Sequence, residues 1–283
     1  MVILEGECSN HKYNKLKKYK LAIIGSGSLG SIIAKVVSQD LSKEYKILGV
    51  LSGQLKNAIN LADEINCKAY KSLDEIIADK PDYVIEAASA EVFKDVGVKL
   101  LVNGISLIPL SVGALADQEF YNRVKEAALK SSSRVHIPSG AVGGFDVLGA
   151  AMAMGNAEVS IATEKSPNSL NGAPFLKGRK LSEERTENVF NGSALRAIEH
   201  FPENVNVAVA TALATTGVEN TKVSIESIPG FKNNKHSIKL IGETINVEVT
   251  IETTPSEDNP KSSTLTAYSV ISLLKNLTAP ITF

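Results

Sequence analysis

Three glycines near the start of the chain have the spacing that holds a dinucleotide pyrophosphate. Gly25, Gly27 and Gly30 follow a short apolar run and precede residues with helical periodicity. In such a strand–turn–helix the first glycine permits the bend, the second admits the phosphate, and the third lets the helix pack closely. The N–H groups at the start of the helix add a partial positive charge. We therefore predict a cofactor-binding turn that includes Ser28 and Leu29; a tight turn that binds nothing is the alternative.

The end of the next predicted strand, residues 45–51, bears on which dinucleotide is bound. A carboxylate at that position, about 20 residues after the glycines, accepts hydrogen bonds from the ribose of NAD. This chain has the neutral residues Ser52, Gly53 and Gln54 there, and Lys56 lies just beyond them. We expect Ser52 to contact the cofactor. The cofactor is expected to be NAD or NADP, with NADP used at least as well as NAD.

The elements that position this turn alternate regularly along the first half of the chain. Strand-like runs at 45–51, 82–88 and 105–110 alternate with helix-like stretches at 55–65, 92–102 and 117–129. This alternation predicts an α/β fold, a Rossmann-type doubly wound parallel sheet. Ligands bind beyond the carboxyl ends of such strands, so we expect Ala88 to line the cofactor crevice. The alternative is that the small residues there serve packing alone.

The second half of the chain has a different pattern. A glycine-rich turn at 135–144 and a helix at 145–154 are followed by segments with period-two alternation at 159–163, 221–225, 236–240 and 244–251. These segments predict an antiparallel or mixed sheet with one solvated face, and with helices at 193–199 and 205–214 they form a second α+β domain. We assign residues 1–141 to a dinucleotide-binding domain, with a polar leader at 1–18, and 142–260 to a substrate domain. The C-terminal helix, within 261–283, is expected to pack back on the first domain.

The amino-acid composition and net charge limit the classes to which the protein can belong. The chain has 283 residues, 43% of them hydrophobic and 22% charged, with a net charge of -1, which is typical of a globular protein without a nucleic-acid or membrane footprint. No apolar run reaches membrane-spanning length, and lysines crowd the first 20 residues. Cys8 and Cys67 lack metal-ligand spacing. We expect a cytoplasmic protein that binds no metal, no nucleic acid and no membrane.

Four blocks of the sequence together resemble the L-aspartate dehydrogenase family. The blocks are residues 111–117, 138–144, 201–208 and 259–268, and they occur in the same order as in that family. The resemblance implies oxidation of L-aspartate to iminoaspartate, which then yields oxaloacetate and ammonia or enters NAD biosynthesis. It also implies that Ala141 and Asn206 contact the nicotinamide nucleotide and that His236 is the catalytic residue.

The chemistry of this reaction suggests further site residues. Oxidation at Cα requires a proton to leave the amine, and a histidine with an ordinary pKa near 6.5 can accept or relay it at neutral pH. The sequence alone also allows His236 to be an exposed residue at a strand end. Two substrate carboxylates need cations, for which Lys165 and Lys261, both in predicted loops near the domain interface, are candidates; solvated lysines are the alternative.

Three hypotheses for the whole protein remain open on the sequence. One is the aspartate dehydrogenase, and another is an enzyme that oxidises or reduces a different small amino or imino acid. The last is a non-catalytic NAD(P)-sensing protein, which would not need His236. The extended strands of the second domain favour a homodimer.

Overall fold

The computed structural model describes residues 18–202, 205–254 and 263–282. Lys261 and nearly all of the predicted leader lie outside these ranges. The strands are β1 (Tyr19–Ile24), β2 (Tyr45–Leu51), β3 (Lys68–Tyr70), β4 (Tyr83–Glu86), β5 (Ser106–Pro109), β6 (Ala157–Lys165), β7 (Glu187–Ser193), β8 (Lys222–Ser227), β9 (Asn234–Gly242) and β10 (Asn246–Thr253). The helices are α1 (Ser28–Asp40), α2 (Leu55–Ile65), α3 (Leu73–Asp79), α4 (Ala90–Val102), α5 (Gln118–Ser131), α6 (Phe145–Ala153), α7 (Pro167–Leu170), α8 (Ala194–His200), α9 (Asn206–Ala214) and α10 (Leu265–Thr278), with 3₁₀ turns at Val112–Ala116 and Pro174–Leu176.

The first sheet is parallel, in the order β3-β2-β1-β4-β5. Because successive strand residues point to opposite faces, Leu21 and Ile23 of β1 face one layer of helices, and Ala22 and Ile24 face the other. The first layer includes α1 and α10, and the second includes α4 and α5. Both faces are therefore covered, which explains the nearly continuous apolar strands. The predicted Rossmann-type, doubly wound sheet is confirmed.

The second sheet is mixed, in the order β10-β9-β6-β8-β7. β6 runs parallel to β8, and the other neighbours are antiparallel. One face carries buried residues such as Ile161 and Ile238, which pack in a core with α6, α8 and α9. The opposite face carries exposed, charged residues such as Glu158 and Lys239. This alternation confirms the predicted second α+β domain.

One helix contacts the cores of both halves, and the C-terminal helix returns the chain to the first half. Helix α9 contributes Val207 and Ala208 to the core of the second sheet, and its Val209 and Ala210 to the core of the first. Helix α10 packs on the first sheet, and the Tyr45 hydroxyl donates a hydrogen bond to the Leu274 carbonyl at 2.7 Å. Within the described ranges, no helix has the length and apolar character needed to cross a membrane. The predicted domain boundary at 141/142 stays a prediction.

Candidate functional site

The glycine turn has one open position between two crowded ones. Gly25 has a φ of +108°, and a Cβ there would collide with the carbonyl oxygen of Ala87. A Cβ on Gly30 would collide with the Gly25 carbonyl oxygen. At Gly27 no atom lies within 4 Å of the Cβ position. The N-terminus of α1 has no acidic residue in its first turn and no side-chain cap on Gly27. The turn therefore leaves room and free N–H groups for a phosphate.

A cavity beside this turn lies at the carboxyl ends of β1, β2 and β3. It is lined by Gly25, Gly27, Ser52, Ala88 and, after β3, by Lys71. The Ser26 hydroxyl donates to the Ser52 hydroxyl at 2.8 Å. In the described chain, Asp95 is the only acidic residue that lines this cavity.

The cation that lines this cavity with Ser52 differs from the one suggested by the sequence. The register of β2 and β3 pairs Leu51 with Tyr70, which places Lys71 beside Ser52. Lys56 lies in the first turn of α2 and does not line the cavity. Lys71 was missed because β3 is only three residues long and has no recognisable periodicity.

A second cavity lies between the two sheets and collects six of the predicted site residues. These are Leu29, Ala88, Ala141, Lys165, Asn206 and His236. Ala88 lines both cavities, so the two adjoin at the carboxyl end of β4. Of the other predicted residues, Ser28 begins α1 without lining either cavity, and Gly30 is buried by packing. Lys261 lies outside the described residues.

The rim of the second cavity is held by polar contacts. The buried Glu86 carboxylate, at the end of β4, accepts hydrogen bonds from the Ala88 N–H at 2.7 Å and from the Ser111 hydroxyl at 3.0 Å. Burial raises the pKa of Glu86. Asn206 Oδ1 accepts a hydrogen bond from the Gly113 N–H at 2.8 Å, which leaves its NH₂ group for a ligand. These contacts fix the loops after β4 and β5.

His236 is not the exposed strand-end residue that the sequence allowed. It is the third residue of β9, which lies between β10 and β6, and only 4% of it is exposed. Its Nδ1 shares a hydrogen bond with Thr163 Oγ1 at 3.0 Å. Burial and the nearby charge of Lys165 lower the pKa of His236 to about 3. The expectation of an ordinary pKa near 6.5 is therefore wrong.

Lys165 is likewise not in a loop. It is the last residue of β6, and only 3% of it is exposed. Burial lowers the pKa of its ammonium group to about 8. The adjacent Asn234 is buried, and its Oδ1 has no hydrogen-bond partner among the described residues. Asn234 and Thr163 were not singled out by the sequence, because only the register of β6 against β9 brings them to the site.

Comparison with known proteins identifies the family. The family described as "Aspartate dehydrogenase, C-terminal" matches residues 146–277, and "Homoserine dehydrogenase, NAD binding domain" matches residues 25–138. The L-aspartate dehydrogenase of Methanococcus maripaludis strain C6 is 34% identical over 263 residues, covering 93% of this chain and 98% of that protein. The chain belongs to the L-aspartate dehydrogenase family. The resemblance seen in the four sequence blocks is confirmed, and the protein is a dehydrogenase with a nicotinamide cofactor.

Other relatives agree with this assignment. The L-aspartate dehydrogenase of Methanosarcina mazei is 36% identical over 267 residues, covering 93% of this chain and 98% of that protein. The crystal structure of aspartate dehydrogenase from Thermotoga maritima superposes with a TM-score of 0.72 at 27% identity, covering 94% of this chain and all of that one. GenD2 from gentamicin A biosynthesis, solved in complex with NAD, has a TM-score of 0.58 at 12% identity, covers 95% of this chain and 89% of that chain, and shows the fold alone.

Proposed function

We propose that this protein oxidises L-aspartate to iminoaspartate by transferring the Cα hydride to a nicotinamide cofactor. The observation that carries the proposal is the chemistry of the second cavity. Its described lining contains two titratable side chains, Lys165 and His236, and no carboxylate. L-Aspartate carries two carboxylates, and a cavity with this lining favours an anionic ligand. The L-aspartate dehydrogenases that this chain resembles support the same substrate.

The residues near the glycine turn fit a dinucleotide. The open position at Gly27 and the free N–H groups of α1 suit the pyrophosphate. We assign cofactor binding to Gly25, Gly27, Ser28, Leu29, Gly30, Ser52, Ala88, Ala141 and Asn206. Asn206 would offer its NH₂ group to the nicotinamide end. When bound, the cofactor supplies the hydride acceptor.

On the substrate side we assign the catalytic role to His236 and substrate binding to Lys165. Both side chains line the cavity that Asn206 and Ala141 also line. The Thr163 contact holds the imidazole through Nδ1, so that Nε2 is the nitrogen available to a substrate. Lys261, proposed as a second substrate-binding cation, lies outside the described residues.

NADP is proposed to serve at least as well as NAD. No carboxylate follows β2, and the neutral Ser52 occupies that position. The adjacent Lys71 adds a positive charge where a 2′-phosphate would lie beyond Ser52. A carboxylate would repel this phosphate, whereas a lysine attracts it. The ratio of kcat/KM for the two cofactors at saturating L-aspartate tests the proposal, which a more than tenfold preference for NAD would contradict.

Three further proposals concern the fate of the product, the cellular compartment and the oligomeric state. Iminoaspartate would either hydrolyse to oxaloacetate and ammonia or be consumed in NAD biosynthesis. The protein would act in the cytoplasm. It would form a homodimer, which light scattering coupled to gel filtration would detect as twice the chain mass.

A substrate screen tests the proposed function. We expect L-aspartate, among L-amino acids and small hydroxy acids, to give the highest rate of cofactor reduction. A Gly27→Val variant is the control, because its side chain would fill the open position without disturbing packing, and it should lose cofactor binding while staying folded. Turnover of another amino or imino acid with none of L-aspartate would identify the different enzyme that the sequence left open. Cofactor binding without turnover of any substrate would favour the sensor.

A further inference from the structure

Asn234 brings an unpaired amide oxygen to the wall of the second cavity. It is the first residue of β9, only 2% of it is exposed, and it lines the cavity. Its Oδ1 has no hydrogen-bond partner among the described residues. A buried acceptor without a partner destabilises the folded protein, so its presence in a native structure needs an explanation. The position of Asn234 in the cavity wall points to a ligand.

Strand β9 places Asn234 and His236 next to each other on the cavity side of the second sheet. Because the two residues are two apart on one strand, their side chains share a face and are separated by about 7 Å along it. Thr163 engages His236 at Nδ1, and when Nδ1 donates to this hydroxyl the Nε2 of the neutral ring is an acceptor. This face of β9 therefore offers two acceptor atoms, Asn234 Oδ1 and His236 Nε2, to one ligand.

The other amide in the described lining is already engaged at its oxygen. Asn206 Oδ1 accepts a hydrogen bond from the Gly113 N–H at 2.8 Å, so Asn206 offers a ligand its NH₂ donor. No carboxylate is present in the described part of the lining. Among the amide and carboxylate groups of this lining, Asn234 therefore carries the oxygen that is open to a donor.

L-Aspartate, the proposed substrate, brings both kinds of hydrogen-bonding group to this cavity. Its two carboxylates only accept hydrogen bonds, so they are matched by cations and N–H donors. Its α-ammonium group only donates, so it must be matched by acceptors. An amide oxygen beside an imidazole nitrogen fits the ammonium group, whereas either atom would repel a carboxylate. The face of β9 with Asn234 and His236 is therefore the part of the wall that suits the amine.

We propose that Asn234 binds the α-ammonium group of the substrate through Oδ1 and makes the site selective for an amino acid over the corresponding hydroxy acid. This inference rests on the proposed function. When Oδ1 holds one N–H of the ammonium group, a second N–H is directed to His236 Nε2 on the same face of β9. A hydroxyl group has a single O–H and cannot serve both acceptors. A bound hydroxy acid therefore leaves one of them buried and unpaired, which weakens its binding.

Asn234→Leu removes the amide while nearly conserving the volume of the side chain. The probes are L-aspartate, L-malate, which has a hydroxyl in place of the amine, and succinate, which has neither. Their binding to the enzyme with reduced cofactor is measured by the change in nicotinamide fluorescence, so no turnover is needed. We expect the Kd of L-aspartate to rise about 10- to 100-fold, the range for one hydrogen bond to a charged group. The Kd of succinate should stay nearly unchanged, and the preference for L-aspartate over L-malate should fall.

Two further variants separate amine recognition from a structural role. Ser227→Ala is the matched control, because Ser227 is also fully buried with an unpartnered Oγ among the described residues but does not line the cavity. It should leave the affinity for all three probes unchanged. Asn234→Asp keeps an acceptor oxygen at the same position, so it should keep the preference for L-aspartate over succinate. Because removing an unpaired buried polar group costs the fold nothing, the urea midpoint of Asn234→Leu should equal or exceed that of the wild type.

Several results would overturn the inference. Equal losses of affinity for L-aspartate and succinate in Asn234→Leu would mean that the amide does not recognise the amine. A lower urea midpoint with unchanged affinity for L-aspartate would assign the amide to the fold. If Asn234→Leu does not fold, loss of the preference for L-aspartate over succinate in Asn234→Asp would decide against the contact. Failure of the proposed function would look different, because the wild type itself would then neither prefer L-aspartate over succinate nor reduce its cofactor with it.

Discussion

At the scale of single residues, the cofactor site divides into positions fixed by packing and positions left for the ligand. Gly25 and Gly30 are glycines because neighbouring carbonyl oxygens occupy their Cβ positions. Gly27 faces open space, so the absence of a side chain there leaves room for a ligand. Ser52 and Lys71 are also positions left open to a ligand, since each follows a strand end and lines the cavity without a role in the core.

The contribution of Lys71 to the preference between NADP and NAD can be tested by mutation. A charge-assisted hydrogen bond contributes about 1.5–3 kcal/mol, and its loss from an exposed site falls at the low end of that range. We expect Lys71→Ala to lower kcat/KM for NADP about tenfold while leaving that for NAD nearly unchanged. Lys56→Ala is the matched control and should alter neither value, because Lys56 lies outside the cavity. An equal response of both cofactors to Lys71→Ala would show that this lysine does not distinguish them.

Spacing predicted the glycine turn, but it could not predict the environments of Lys165 and His236. The glycines act within one local turn, so their roles are encoded in adjacent residues. The burial of Lys165 and His236 depends on the pairing of β6 with β9, which are separated by about 70 residues. Strand register is set by packing of the whole sheet. The sequence therefore singled out both residues, which line the second cavity, but it assigned Lys165 to a loop and gave His236 an ordinary pKa.

At the scale of elements, long periodic segments were predictable and short ones were not. β2 at Tyr45–Leu51 and α2 at Leu55–Ile65 have the predicted boundaries. β3, α3 and β7 were missed. The first is only three residues long, and β7 contains a bulge between Asn188 and Phe190 that breaks its alternation. Periodicity needs several uninterrupted residues to be recognised.

Helix α10 makes a testable contribution to stability. Leu274 is fully buried against the first sheet, so replacing it with alanine removes apolar contacts and leaves a cavity. We expect Leu274→Ala to lower the free energy of unfolding by about 2–5 kcal/mol. Leu129→Ala on α5 is the matched control, because Leu129 is 74% exposed; its effect should stay within about 0.5 kcal/mol. Urea unfolding followed by circular dichroism measures both. Similar losses in the two variants would mean that α10 does not pack in solution as described.

At the scale of the whole molecule, the second cavity exists only because the two sheets are held together. Leu29, Ala88 and Ser111 come from the first sheet and its connections, whereas Lys165 and His236 come from the second. Helix α9 contacts both cores and presents Asn206 at the junction. A ligand spanning this junction would lie between a nucleotide-binding half and the half that carries Lys165 and His236.

Burial of His236 at this junction makes the folded state sensitive to acid. In the unfolded chain His236 binds a proton with a pKa near 6.5, whereas in the folded protein its pKa is about 3. Below pH 6.5 the unfolded chain therefore takes up a proton that the folded protein resists. The stability associated with neutral His236 is fully present above pH 6.5 and is lost progressively as the pH falls toward 3.

His236→Asn should remove this acid sensitivity. Between pH 7 and pH 5 we expect the wild type to lose about 2 kcal/mol more of its free energy of unfolding than the variant. Lys165, whose folded pKa is about 8, is protonated in both states throughout this window, so it adds nothing to the difference. Asparagine keeps a polar group that can still bond to Thr163, which limits the effect of the substitution at pH 7. Urea unfolding of both proteins at the two pH values measures the difference. Parallel losses would mean that His236 takes up its proton in the folded state, which is incompatible with a buried, neutral imidazole beside Lys165.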